Sequence, residues 1–292
     1  MQNREALHQK PGKASFDLIY DLEDPREYCR VLGDLDYQIP HYGQRLFRTL
    51  AEAQRNGDGK DRPKVVDVCC SYGINAALLK HEMTLDELYA RYGSEKLDGL
   101  SSEELTDADA AFYSERLRKK PVEVVGLDVA QNAVSYGVCS GLLDAGFAEK
   151  LEENDPTEAL RRAVSGAELL TITGGVGYVS ERTFERLLDC AAGGSEGRVP
   201  WIAALALSWV SYEEISEALS RYGLVTEKLD GHTFPQRRFL DTAERGYVLE
   251  ELAKMGIDTA GKEETGWYHA DFYLSRPVEE AARVPLEELL AL

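Results

Sequence analysis

The sequence has no block of basic residues interleaved with aromatics, and its 33 Lys and Arg stand against 52 Asp and Glu, a formal net charge of −19. Nucleic-acid binding relies on Lys and Arg neutralising phosphates. The balance therefore argues against nucleic acid and for a small-molecule partner. There is no long uncharged apolar run of the kind that spans a bilayer. No apolar segment follows the charges of the opening MQNREALHQKPGK, so no secretory leader is expected and the expected location is cytoplasmic. Cysteine is scarce: Cys29, Cys69, Cys70, Cys139 and Cys190, with no C-x-x-C spacing. They read as reduced thiols, and no metal site is expected. Five histidines leave few general bases, and there is no Ser-His-Asp order, H-E-x-x-H or G-x-x-x-x-G-K-[ST] to suggest another chemistry.

What the chain does have is enough apolar content, 43% of 292 residues, for a full-sized α/β core. Its most informative stretch is Lys64–Leu79, KVVDVCCSYGINAALL. Val65–Val66 reads as the end of a buried strand, Asp67 follows, and Cys69, Cys70, Ser71 and Gly73 make a loop of small residues before a helical pattern. A strand that turns into a helix through small residues brings backbone N–H groups close to a ligand. The dinucleotide turn G-x-G-x-x-G is not matched, and a carboxylate at Asp67 would repel a pyrophosphate. It suits a cationic or hydroxyl-bearing ligand. The competing reading is an ordinary strand–turn–helix.

A second strand, Val122–Leu127, ends in Asp128, placed to receive a pair of ribose hydroxyls, and a helix over Val129–Asp144 follows. Asp128 lies 61 residues after Asp67, against roughly 20 in a compact βαβ unit. The excess is His81–Lys120, with helices expected at Thr84–Tyr92 and Ser102–Arg118, and it reads as an insertion serving as lid or dimer arm. Further strands are expected at Ala148–Glu153, Glu168–Thr173, Trp201–Leu207 and Leu224–Leu229, with a late antiparallel one at Tyr268–Leu274. Gly174, Gly175 and Gly177 after the fourth strand allow a close backbone approach ahead of Tyr178.

These features resemble the class I S-adenosylmethionine-dependent methyltransferases, whose motif I runs acid-x-Gly-x-Gly-x-Gly. Asp67 matches the acid, and Cys69, Ser71 and Gly73 take the three glycine positions, so two of the three glycines are replaced. The resemblance covers roughly Lys64 to Pro277. It implies an α/β fold with a doubly wound, mostly parallel seven-stranded sheet, an N-terminal helical cap and a helical insertion after the first βα unit. S-adenosylmethionine is the implied cofactor. The residues implied to bind it are Asp67, Cys69, Ser71, Tyr72, Gly73, Asn75, Asp128, Val129, Asn154, Asp155, Thr173 and Gly174. Asn154 or Asp155 would contact the adenine, though an Asn-Asp-Pro turn capping the helix Thr157–Val164 explains them equally. The Asn/Asp-Pro-Pro-aromatic sequence typical of nucleic-acid amino-methyltransferases is absent after the fourth strand, which counts against methylation of base amines.

Catalytic candidates are Tyr178, His41, Tyr42 and His232, with His269 as a further base. Tyr37, Tyr42, Arg237 and Arg238 are candidates for substrate contact, the arginines through bidentate hydrogen bonds to a carboxylate. Charge balance on an acidic surface explains the arginines as well. The division expected is 1–60 as cap, 61–277 as binding core with insertions 81–120 and 209–242, and 278–292 as tail. The function expected is N- or O-methylation of a small metabolite, with a homodimer contact, if one exists, through the insertion. Two alternatives stand beside it: a reaction using the aminocarboxypropyl arm and releasing methylthioadenosine, and a non-catalytic methyltransferase-like binding protein.

Overall fold

The structure is a computed structural model that describes residues 16–58, 61–192 and 198–291. Its centre is an eight-stranded sheet. In chain order the strands are β1 (Lys64–Val68), β2 (Glu123–Asp128), β3 (Ala145–Ala148), β4 (Leu169–Thr173), β5 (Trp201–Leu207), β6 (Leu224–Lys228), β7 (Phe234–Arg238) and β8 (Trp267–Pro277). They lie in the order β3-β2-β1-β4-β5-β8-β6, with β7 also on β8. β1 to β5 run parallel, and β8 enters antiparallel between β5 and β6. β1 is central, so the loop after it sits between the ends of β2 and β4.

Strand periodicity divides the core. Val65, Val124, Leu169, Ala203 and Leu205 face one layer, and Val66, Val125, Leu170, Ile202 and Ala204 face the other. The first layer holds α2 (Arg26–Gly33), α3 (Ile39–Asp58), α4 (Ile74–Lys80), α5 (Leu85–Tyr92), α6 (Ser102–Ser114) and α7 (Gln131–Cys139), after a single-turn α1 (Asp17–Tyr20). The second holds α8 (Glu158–Val164), α9 (Glu181–Ala192) and α10 (Glu213–Ser220). A smaller cluster, Leu207, Phe239, Val248, Leu252 and Tyr268, lies under α11 (Thr242–Lys254). The short helices α12 (Val278–Arg283) and α13 (Leu286–Leu290) end the chain.

The segment between β1 and β2 starts α5 and α6 with capping boxes, Thr84 with Glu87 and Ser101 with Glu104. It is tied to the sheet layer by a buried network. The fully buried carboxylate of Asp109 accepts from Tyr92 at 3.0 Å and Tyr136 at 2.6 Å and pairs with Arg91. Ser102 reaches Asp24 at 2.7 Å, and the Arg26 guanidinium donates to the carbonyls of Leu97 and Leu100, so this segment and the N-terminal helices make one layer.

Four expectations are corrected. β3 is Ala145–Ala148, not 148–153, and the helix before it stops at Cys139. α7 packs so closely that a Cβ on Gly146 would lie 2.7 Å from Val134 Cγ1, so β3, AGFA, sets Ala and Gly beside Phe147 without the alternation that marks a strand. The helix expected to run to Arg118 stops at Ser114, and Leu117 instead bridges back to His81. The sheet has eight strands, not seven, because Phe234–Arg238 pairs with the first half of the 11-residue β8. Its Pro235 and paired arginines read as loop in sequence, but an edge strand accommodates proline.

Candidate functional site

The loop after β1 carries the sharpest signature. Cys69, Ser71 and Gly73 all take left-handed backbone angles, φ 58°, 49° and 83°. A Cβ makes that conformation unfavourable by roughly 1–2 kcal/mol, so two non-glycine residues hold a backbone that suits glycine. The fold keeps them there through neighbours. Ser71 N donates to Asp128 Oδ2 at 2.8 Å, and Gly73 N donates to the Cys70 carbonyl at 2.9 Å. Cys69 packs so tightly on the loop after β4 that a Cβ on Gly175 would lie 2.7 Å from its Sγ.

Asp67 is fully buried beneath this loop. Its Oδ1 accepts from Thr171 Oγ1 at 2.8 Å and Asn75 Nδ2 at 3.1 Å, and Asn75 Nδ2 also reaches Thr173 Oγ1 at 3.2 Å. Burial raises the Asp67 carboxyl from 3.8 to about 7, and the negative charge of Asp128 adds to that, against the two hydrogen bonds. Asp67 Oδ2, Ser71 Oγ and Asn75 Oδ1 are buried and have no hydrogen-bond partner in the chain. Buried polar atoms are nearly always paired, so three such atoms together mark a place where something else supplies the partners. Asp128 stands at the end of β2, half-buried. Its Oδ1 accepts from the N–H groups of Val129 at 2.7 Å and Ala130 at 3.0 Å.

The other wall comes from the loop after β4 and from β7. Gly174 has φ 71°, its N–H donates to the Leu205 carbonyl at 2.8 Å, and a Cβ there would lie 3.0 Å from Gln236 Nε2 and 3.8 Å from the Tyr37 hydroxyl. Gln236 is held by its backbone, whose carbonyl accepts from Gln38 N at 2.7 Å, while its side-chain Oε1 is buried without a partner. Tyr37 is buried, and Tyr20 and Tyr178 are its electrostatic neighbours. The segment carrying Tyr20 is anchored on the site's far side. Leu22 N donates to the Tyr72 hydroxyl at 2.8 Å, and Asn132 N donates to Asp21 at 2.7 Å. Beyond β5 a cavity of about 490 Å³ opens, lined by Val210, Tyr212, Lys228, Asp271 and Tyr273 among others. Val210 adjoins the site: its Cγ1 lies 3.4 Å from where a Gly177 Cβ would be.

Of the residues singled out in the sequence, Asp67, Cys69, Ser71, Gly73, Asn75, Asp128, Thr173, Gly174 and Tyr37 are brought together here. Val129 and Tyr178 border them and are exposed, 66% and 67%. Others lie apart. The Tyr72 side chain is wholly buried against the N-terminal segment, not at the loop's mouth. Asn154 and Asp155 are exposed in the turn after β3, the first bonded to the Lys150 carbonyl and the second paired with Arg186. His232 is exposed and bonded to the Asp230 carbonyl, and His269 meets Thr233 at 3.0 Å. His41 is exposed on α3, in a groove with Arg45, Arg48 and Thr49, while Tyr42 packs on Phe234 with ring centroids 5.5 Å apart.

The arginines expected to meet a carboxylate have carboxylates from the chain itself. Arg237, 3% exposed, makes a bidentate pair with Glu244 at 2.8 and 3.0 Å, and Arg238 pairs with Asp36 over the Trp267 ring. Sequence reasoning missed Gln236 and Tyr20. Gln236 lies inside the HTFPQRRF segment singled out for its arginines, and a buried carbonyl oxygen left unpaired beside a glycine is a signal that only the folded structure carries. Among the described residues no cluster of His, Cys, Asp or Glu is arranged to hold a metal, and no helix is long and apolar enough to cross a membrane.

No family profile and no curated protein matches the chain. Among solved structures it is similar to the plantazolicin methyltransferase BpumL in complex with SAH, at 10% identity over 94% of this chain and 98% of that one, TM-score 0.40. It is similar to magnesium protoporphyrin IX methyltransferase (ChlM) from Synechocystis PCC 6803 with bound SAM, at 10% identity over 86% and 94%, TM-score 0.36. A functionally unknown protein from Deinococcus radiodurans R1 is similar at 11% identity over 75% and 82%, TM-score 0.39. At these identities a likeness assigns no residue a role.

Proposed function

We propose that this chain is an S-adenosylmethionine-dependent methyltransferase acting on a small molecule, at nitrogen or oxygen, by in-line displacement. The observation that carries the reading is the left-handed run Cys69–Ser71–Gly73 above three orphaned buried polar atoms, with Asp128 one βα unit later holding Ser71 N. In this reading Asp67 Oδ2 and Asn75 Oδ1 accept from the ammonium of the cofactor's amino-acid arm, the Ser71 hydroxyl donates to its carboxylate, and the half-buried Asp128 takes ribose hydroxyls. When bound, S-adenosylmethionine would supply an electrophilic methyl carbon on a good leaving group. The chain's own share is then to orient the acceptor and exclude water. Gly174 admits close backbone approach, Tyr20 and Tyr37 close the site, and Tyr178 stands at its exposed border. In this reading the N-terminal helices cap the cleft of a core spanning 61–277, and the 81–120 segment is where a subunit contact would be sought. Residues 1–15, 59–60, 193–197 and 292 of the expected division lie outside the described residues.

Calorimetry with S-adenosylmethionine tests the cofactor: wild type binds and Asp128→Ala loses most of that affinity, whereas no binding by wild type overturns the proposal. Product analysis tests the reaction. S-adenosylhomocysteine is expected, and methylthioadenosine would instead point to use of the aminocarboxypropyl arm.

A further inference from the structure

We infer that Gln236 is the residue that receives the acceptor, and that the acceptor presents a neutral or cationic N–H or O–H group to it, not a carboxylate or phosphate. The inference rests on the methyltransferase reading. It starts from the Gln236 side chain, which is 8% exposed and whose buried Oε1 has no hydrogen-bond partner among the described residues. A buried, unpaired carbonyl oxygen is unfavourable by about 1–3 kcal/mol, so it marks a place that a ligand completes. It sits against Gly174, whose φ of 71° and missing Cβ leave the space the amide occupies, with the Tyr37 hydroxyl alongside.

The charges around it select the kind of group. The cations nearest in sequence, Arg237 and Arg238, are neutralised by Glu244 and Asp36, and the carboxylates facing the site, Asp67 and Asp128, would repel an anion. Tyr20, Tyr37 and Tyr178 offer aromatic surface that tolerates a cation. An amide oxygen accepts from N–H or O–H, which fixes the donor, and a neutral donor keeps its lone pair free to face away. The backbone pins this geometry: Gln236 O is bonded to Gln38 N on one side and Arg238 N to Leu35 O two residues on.

The test compares two ligands by calorimetry: S-adenosylhomocysteine and sinefungin, the analogue that carries a primary amine where the cofactor carries its methyl. Wild type should prefer sinefungin. Gln236→Leu should reduce that preference about tenfold with S-adenosylhomocysteine affinity unchanged, and Gln236→Glu, which keeps an acceptor, should retain it. The inference is overturned if wild type shows no preference, if the leucine variant keeps it, if both ligands weaken equally, or if the glutamate variant loses it. Binding of neither ligand by wild type would instead remove the methyltransferase reading itself, and this inference with it.

Discussion

Asn75 donates to Asp67 at 3.1 Å, yet each of the two side chains keeps a buried oxygen, Asn75 Oδ1 and Asp67 Oδ2, with no partner in the chain. The pair is thus half satisfied by the fold. A bound ammonium would complete it, because a cation supplies the donors that both oxygens lack.

The first prediction concerns pH. Burial raises the Asp67 carboxyl in the folded chain to about 7 from the ordinary 3.8. The folded state therefore holds this proton longer than the unfolded one. The stability linked to it is fully present below about pH 4 and is lost as pH rises through about 7. Thermal melts of ligand-free wild type and Asp67→Asn between pH 5 and 8 should show their difference shifting towards the variant as pH rises. Affinity for S-adenosylmethionine should move the opposite way in wild type, strengthening up to about pH 7, since a cation prefers the ionised carboxylate.

Asp128 holds the N–H groups of Ser71, Val129 and Ala130. Hydrogen bonds to a charged group contribute about 1.5–3 kcal/mol each. Asp128→Ala should weaken S-adenosylhomocysteine binding tenfold or more and lower the melting temperature. Asp128→Asn, which keeps one acceptor, should fall between. A variant that melts lower but binds as wild type would confine Asp128 to holding the loop.

Ser71 separates stability from binding. Its φ of 49° is unfavourable for a residue with a Cβ, and its hydroxyl is buried without a partner. Ser71→Gly should raise stability by roughly 1 kcal/mol, measured by urea denaturation, while weakening S-adenosylhomocysteine binding. Opposite signs in the two measurements are the expected signature. Equal affinity in variant and wild type would remove Ser71 Oγ from the binding set.

Two ion pairs with fully buried carboxylates should prove structural. Asp109→Ala strands Arg91 and two tyrosine hydroxyls, and Arg237→Ala strands Glu244, a carboxylate that also receives Leu240 N and Tyr268 OH. Removing one member of a buried pair destabilises by about 3–5 kcal/mol, readable by chemical denaturation. Hydrogen exchange after Asp109→Ala should rise first in α5 and α6, whose attachment to α7 runs through that carboxylate. If Arg237→Ala instead left stability intact, the pair with Glu244 would not be what holds β7 to α11.

Much of this was legible in local pattern. The strand β1, the acid at its end, the small-residue loop and the acid ending β2 follow from periodicity and spacing, because a strand-to-helix turn is a short-range event. The capping box of Ser101 with Glu104 is local in the same sense, since its two members lie three residues apart. What escaped were features set by partners distant in sequence. β7 is a strand only because β8 is long enough to pair with it beyond β6. β3 shifted because α7 presses on it closely enough to require Gly146. The arginines looked available until folding placed Glu244 and Asp36 against them.

The sequence by itself determined the order of the strands and helices apart from β7, the acids at two strand ends and the small residues between them, all properties of neighbours along the chain. Only the tertiary structure decided which polar groups remained unpaired. Whether Gln236, Asp67 or Ser71 has a partner depends on what the sheet brings beside it, and burial makes the absence of one consequential.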